Sequence, residues 1–572
     1  MSRPTEMTPL NQEAKGLVPD TKVAEIPAMY KALRSSFASG KTKSYEWRIG
    51  QLRALGRMIN ENLGMIEKSL YDDLKTSPFE IKIAQVGLIL NDLALYEKHL
   101  KGWMAPECVT TNVLNLPGSA YIINEPLGCV VIYGAWNYNF LLSLQPVIGA
   151  IAAGNCVLLK PGDYAVKSTQ AMMQLIPRYM DQECIKVVNG GPELSDAILQ
   201  HQWQKIFFTG SANVGRIIYR KAAEHLTPCT LELGGKSPCI VDSSADLAVS
   251  ARRIVWGACT NAGQTCVRPD YILVEKSFGD RLVKALESEV TKFYGDDPKA
   301  SPWYSRLIND RAFQRVCSLL EDCGDLIALG GSKNADRADR YIPPTIINFG
   351  SNKNRFAKSK VMEGEIFGPL IPVCYYDSNE EVQEFITSRP VPLSAYLFSS
   401  NTAMITFFKN NIHSGSQCIN DTIVQLSCEE LPFGGCGGSG FGAYHGKHSF
   451  DCFSHKKSVL QRGTAMDVPM RYPPYTPHAI SMVGNLLNPK VDDYYEHRDD
   501  DNYRRSMILC FGMATQKYRR CKEEYQAAST SISQARANTL DNCLMKHFNQ
   551  AITLLLKTTE VNGKCTPVKK AG

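Results

Sequence analysis

Lys205-Ile206-Phe207-Phe208-Thr209-Gly210-Ser211-Ala212-Asn213-Val214-Gly215 passes from a short apolar run into a helical pattern across a single glycine turn. A strand feeding a helix in this way is half of a βαβ unit. Working outward, Cys129-Val130-Val131-Ile132-Tyr133, Cys156-Val157-Leu158-Leu159-Lys160-Pro161 and Ile185-Lys186-Val187-Val188 are further buried-strand runs with helical stretches between them. The alternation predicts a parallel α/β sheet. A second alternation runs from about 230 to 420, with strand candidates at Cys239–Val241, Tyr271–Val274 and Ile371–Tyr376, and the glycine-rich loop Phe433 to Gly442 closes it. Upstream, residues 22–104 read as helix, with amphipathic spacing over Tyr45 to Leu63 and Phe79 to Leu100.

A chain of 572 residues calls for about two to four domains. Hydrophobic content of 44%, charged content of 21% and a net charge of +6 describe a globular protein without a nucleic-acid patch. Nineteen cysteines, an odd count at irregular spacing and without a zinc-type CxxC pair, point to reduced thiols in the cytosol and to no metal site. Met1 to Asp20 is polar and carries Glu6, Glu13 and Asp20, unlike a secretory or mitochondrial leader. Apolar runs fall short of the roughly 18 residues that span a bilayer. Lys569-Lys570-Ala571-Gly572 has the form of a dilysine retrieval signal, but lacks an anchor to act on. Beyond about 466 the prolines of Val468 to Pro477 and the charge-dense Asp492 to Arg505 read as a linker. Met507, Phe511, Ala514, Tyr518, Cys521, Tyr525, Ala528, Ile532 and Ala535 then form a heptad seam. Leu540, Leu544, Phe548 and Leu555 suggest further helix.

Four segments carry chemistry. Gly210 allows close backbone approach, and the helix opened by Ser211, Ala212, Asn213, Val214 and Gly215 offers unpaired N–H groups to a phosphate. Lys160 and Asp163, at the end of another candidate strand, supply a cation and a carboxylate suited to ribose hydroxyls, where ligands of parallel sheets bind. Leu231-Glu232-Leu233-Gly234-Gly235-Lys236-Ser237-Pro238 sets a carboxylate in an apolar run, where desolvation lifts a pKa toward general-base range. Asn261-Ala262-Gly263-Gln264-Thr265-Cys266-Val267-Arg268-Pro269-Asp270 is poor helix and poor strand, and so reads as a loop presenting one thiol nucleophile.

Taken together, Glu232-Leu-Gly-Gly-Lys-Ser-Pro and Gly-Gln-Thr-Cys266 resemble the glutamate and cysteine signatures of the aldehyde dehydrogenase superfamily. Phe208-Thr-Gly-Ser211 is similar to its cofactor turn, and Glu365-Ile366-Phe367-Gly368-Pro369 to its nicotinamide-ribose segment. Trp136-Asn137-Tyr138, Leu431-Pro432-Phe433-Gly434-Gly435 and Gly442-Ala443-Tyr444-His445-Gly446-Lys447 resemble the class 3 branch, and the likeness covers about residues 22–463. It implies a Rossmann-like NAD(P)-binding domain (22–104 and 127–230), an α/β catalytic domain (231–420) and a small oligomerisation segment (105–126 and 421–463). These lie between an N-terminal tail (1–21), a linker (464–505) and a helical C-terminal appendage (506–572).

The resemblance further implies oxidation of medium- to long-chain aliphatic or aromatic aldehydes to acids by a homodimer, cytoplasmic or peripherally associated with a membrane. Cys266 would form a thiohemiacetal and then a thioester, Asn137 would hold the oxyanion, and Glu232 would activate the hydrolytic water. Lys160, Asp163 and the Gly210 to Gly215 turn would hold the adenosine ribose and pyrophosphate; Glu365 and Phe367 would hold the nicotinamide end. Three residues depart from the pattern. Asp163 replaces a usual Glu, which would let NADP in beside NAD. Asn139 replaces a Pro, which would loosen the loop aiming Asn137. Arg268 replaces a small residue, and would lower the Cys266 pKa, narrow the pocket or lie on the surface. A CoA-acylating dehydrogenase generally dispenses with the hydrolytic base, so Glu232 argues against that reading. An idle scaffold working through its helical appendage would not need Cys266, Glu232 and Asn137 together.

Overall fold

A computed structural model describes residues 18–480, apart from 112–114, 116–117, 465–466, 468 and 478. The heptad seam, the further helix after Leu540, and most of the linker lie outside the described residues. Met1–Arg462 form one unit and Gly463–Gly572 another. The described part of the second contains a 3-10 turn, Pro469–Arg471. No helix among the described residues is long and apolar enough to cross a membrane.

The apolar runs become strands because their side chains are buried on both faces, as the middle of a parallel sheet demands. Val130, Val131, Ile132, Val157 and Leu158 are fully buried, each worth about 1.5–3 kcal/mol relative to exposure. Six strands pair in the order Gly440–Phe441, Cys229–Glu232, Lys205–Thr209, Cys129–Tyr133, Cys156–Lys160, Ile185–Val187. All are parallel except the first, which runs antiparallel to Cys229–Glu232. The expected boundary at 230/231 falls inside Cys229–Glu232, because Glu232 still pairs with Thr209.

The second sheet orders Ile327–Leu329, Thr345–Gly350, Leu370–Tyr376, Tyr271–Glu275, Pro238–Val241, Ser394–Phe398 and Ser416–Ile419. A third, antiparallel sheet joins Glu107–Val109, Ser119–Pro126 and Ser454–Gln461. The expected helix over Tyr45 to Leu63 is Tyr45–Glu61, its first turn capped by Ser44 Oγ accepting from Trp47 N–H at 3.1 Å. The one over Phe79 to Leu100 is Pro78–Ile81, a π turn Lys82–Val86, and Gly87–Trp103.

This topology places the chemistry. Tyr133, Lys160, Thr209 and Glu232 each end a parallel strand on the same side of the first sheet. The carboxyl ends of such strands are where open α/β sheets bind ligands. Trp136-Asn137, the Lys160–Asp163 loop, the Gly210 turn and the Glu232 carboxylate therefore share one rim.

Candidate active site

Helix Leu247–Cys259 ends in the turn Thr260–Gly263, where Asn261, Ala262 and Gly263 all take positive φ (53°, 51° and 73°). A left-handed conformation costs a non-glycine residue about 1–2 kcal/mol, so surrounding contacts must hold it. Asn261 Nδ2 donates to the Asn137 and Gln264 carbonyls at 2.9 and 3.3 Å. Gln264 Nε2 donates to the Asn261 and Arg306 carbonyls at 3.0 and 2.9 Å, while its Oε1 accepts from Ile308 N–H at 2.9 Å. A Cβ at Gly263 would overlap the Gly368 carbonyl. The wound loop turns Cys266 to a half-buried position. Asn137 is buried beside it and donates from Nδ2 to the Gln264 carbonyl at 3.1 Å. The Tyr138 and Thr265 hydroxyls meet at 2.7 Å and pin the two loops together. Gln264 and Tyr138 were not singled out from sequence; their role depends on partners more than 40 positions away.

Glu232 is 2% exposed, and neither carboxyl oxygen has a hydrogen-bond partner among the described residues. Its burial pushes its pKa well above the ordinary carboxylate range. Burial likewise raises the Cys266 thiol, and the charges of Glu365 and Glu232 add to the rise; the N–H groups of Cys266 and Val267 oppose it. Glu232 and Glu365 thus both act on the Cys266 thiol through their charges. The backbone carbonyl of Glu232 accepts from Gly210 N–H at 3.0 Å, which ties the Glu232 strand end to the Gly210 turn.

Ser211 caps the helix Ala212–Glu224, leaving the first N–H groups at an accessible end. Gly215 lies against Leu233. Lys160 is buried and pairs with Asp163; burial raises the Asp163 carboxyl, and Lys160 draws it back. Glu365 is pushed up to about 8 by burial and by Asp270, while Lys236, the Gly235 N–H and Arg315 pull it down. Its Oε1 is a buried acceptor without a partner among the described residues. Such an orphan fits a ribose hydroxyl donor. Phe367, at φ 45°, packs edge-on to Trp136 with ring centroids 5.4 Å apart.

Behind the pocket, Lys236 binds Asp270 and the carbonyls of Val361 and Gly364 at 2.7 and 3.0 Å. Asp270 also accepts from Ile366 N–H at 3.1 Å. One buried ion pair therefore joins the segment that follows Glu232, the loop that follows Cys266 and the Glu365 turn. A lysine within the glutamate signature and an aspartate after Pro269 were its only traces in the sequence.

Two sequence expectations are corrected. Arg268 is 1% exposed, so it is not a surface residue. Its guanidinium donates to the Ala258 and Leu370 carbonyls at 3.2 and 2.6 Å and pairs with Asp270 at 3.2 Å. It braces the Cys266 loop, and the charges that raise the Cys266 thiol are those of Glu365 and Glu232. Replacing it strands two carbonyls and half of the Asp270 pairing. Arg268→Ala is therefore expected to cost about 3–5 kcal/mol, read as a clear drop in the thermal unfolding midpoint. An unchanged midpoint would contradict this bracing role. Asn139, fully buried, does not loosen its loop either. Its Oδ1 accepts from Gly162 N–H at 3.0 Å, and its Nδ2 donates to the Ser168 and Thr169 hydroxyls, each at 2.9 Å. The amide ties the Asn137 loop to the Lys160–Asp163 loop.

The model of the aldehyde dehydrogenase family matches residues 3–459. Aldehyde dehydrogenase family 3 member H1 of Arabidopsis thaliana is 44% identical over 478 residues, covering 83% of this chain and 97% of that protein. A substrate-bound Staphylococcus aureus AldH superposes with a TM-score of 0.78 at 38% identity, over 81% of this chain and 99% of that one. An aldehyde dehydrogenase of Mycobacterium tuberculosis complexed with NAD+ gives 0.68 at 26%, over 79% and 92%.

Proposed function

This chain belongs to the aldehyde dehydrogenase family, within its family 3 branch, and from that premise we propose that it oxidises aliphatic or aromatic aldehydes at Cys266 with Glu232 as the base. The carrying observation is a half-buried Cys266 thiol that feels the charge of Glu232, a buried carboxyl at a parallel strand end whose oxygens have no partner among the described residues.

The Cys266 thiol releases its proton to solvent, and the sulfur adds as thiolate to the aldehyde carbonyl carbon. The oxygen that gathers charge is met by the Asn137 amide and the Cys266 N–H, fixed donors that need no rearrangement. A bound nicotinamide dinucleotide supplies the acceptor for the hydride that leaves the thiohemiacetal carbon. Lys160 and Asp163, the Gly210–Gly215 turn, Glu365 and Phe367 are the residues that would hold it, supported by the orphan Glu365 oxygen and the open helix end. Water then attacks the Cys266 thioester as Glu232 takes its proton; the acid leaves and the thiol is restored. Medium- to long-chain preference, use of NADP beside NAD through the shorter Asp163, a homodimer and a cytosolic setting complete the reading. They are supported by the family resemblance and, for the setting, by the free state of every described cysteine.

NADH formation with C6–C16 and aromatic aldehydes, with and without CoA, tests this. Turnover without CoA is expected, with the free acid as product; a strict need for CoA would overturn the hydrolytic role of Glu232. Because both Glu232 and Cys266 titrate above their ordinary values and both act deprotonated, kcat/KM should climb from pH 6 to pH 9. A profile flat across that range would contradict the assignment.

A further inference from the structure

The turn Glu365-Ile366-Phe367 is poorly supported by its own backbone. Phe367 stands at φ 45°, and the carbonyls around it turn to cations. Lys236 takes those of Val361 and Gly364 from inside. The next three converge on one side chain from another element, Arg315 on helix Asp310–Ser318. Its Nη1 donates to the Glu365 carbonyl at 3.4 Å, and its Nη2 to those of Ile366 and Phe367 at 2.5 and 3.3 Å. Gly368 follows immediately and lies against Val316 of the same helix.

Arg315 forms no ion pair among the described residues, so its charge is spent on the turn. Phe313 and Val316 carry the buried face of the helix, while Arg315 is exposed. Its loss therefore leaves the packing of that helix in place.

We infer that Arg315 is a positioning residue for the nicotinamide end of the cofactor, locking the Glu365–Phe367 turn from outside while Lys236 locks it from inside. This rests on the dehydrogenase reading and deepens it. Cys266, Asn137 and Glu232 are supported by other contacts, so hydride transfer should depend on Arg315 and thiol chemistry should not. The charge has a second effect. Glu365 faces Asp270, Cys266, Lys236, Arg268 and Arg315, of which the three cations favour its carboxylate. Removing one raises its pKa, so the carboxylate that accepts ribose hydroxyls forms only at higher pH.

The test uses the full chain with Arg315→Met and Arg315→Lys. Hydrolysis of p-nitrophenyl acetate without cofactor reports Cys266 and Glu232 alone: the thiolate takes the acetyl group, nitrophenolate leaves, and water releases acetate. Arg315→Met should raise KM for NAD and lower kcat for hexanal, each by about 10-fold, with ester hydrolysis within twofold of wild type. Its KM for NAD should reach its low plateau at higher pH, and Arg315→Lys should recover part of each loss. Quenching of protein fluorescence by NAD, weakened about fivefold in Arg315→Met, reads the effect without turnover. Wild-type chain that binds NAD but makes no NADH would sink the dehydrogenase reading, and the quenching result would still judge Arg315. Equal loss of both activities, or unchanged NAD affinity and pH profile, would overturn the inference.

Discussion

Cys266→Ser is expected to lose aldehyde turnover by about 10³- to 10⁵-fold while keeping NAD affinity within twofold. A serine hydroxyl in this pocket would have to ionise against burial and against the charges of Glu232 and Glu365, the influences that already raise the thiol. Serine starts from a far higher pKa than cysteine, so that environment defeats it. The fold should not notice. Cys266 is half-buried, and its loop is held by Asn261, Gln264, Tyr138 and Arg268. The residues proposed to hold the cofactor lie on other segments, in the Lys160–Asp163 loop, the Gly210 turn and the Glu365–Phe367 turn. Loss of NAD binding together with turnover would mean that the thiol is structural.

Glu232→Gln should cost about 10²- to 10⁴-fold in steady-state turnover, and should also change the shape of the progress curve. Glutamine is close to the same size, so the backbone pairing of this strand with Thr209 and Gly440 survives. It cannot take a proton from water. With aldehyde saturating, reduced cofactor should appear as a rapid burst of about one equivalent per site, followed by a slow phase. A linear course at a reduced rate would place Glu232 before the thioester rather than after it.

The parallel strands were legible because burial on both faces writes an unbroken apolar run, as in Cys129–Tyr133 and Cys156–Lys160. Ser119–Pro126 and Ser454–Gln461 were not: they are polar, half-exposed ribbons, and their pairing spans more than 300 residues. Cys229–Glu232 escaped because it has only four residues, with Gly234 and Gly235 close behind. The candidate site divides in the same way. Cys266, Glu232 and Glu365 stand in local motifs, so their residue types and order are enough to propose them. What holds them is not so legible. Asp270 serves Lys236, Arg268 and Ile366 across nearly 100 positions, and Arg315 reaches the Glu365 turn from 50 positions away. Arg268 and Asn139 show the limit most clearly. Asn139 was read as loosening its loop and Arg268 as tuning the thiol, narrowing the pocket or lying on the surface, because sequence displays a departure from pattern but not the carbonyls and amides that receive it.

The account stands on an acyl group carried by Cys266 and released by Glu232. The most direct measurement mixes Glu232→Gln with hexanal and NAD, quenches it with acid within the burst, and maps the digested peptides by mass. A hexanoyl group on the peptide containing Cys266, absent when NAD is omitted, is the predicted result. An unmodified Cys266 peptide alongside full NADH release, or the acyl group on another residue, would contradict it.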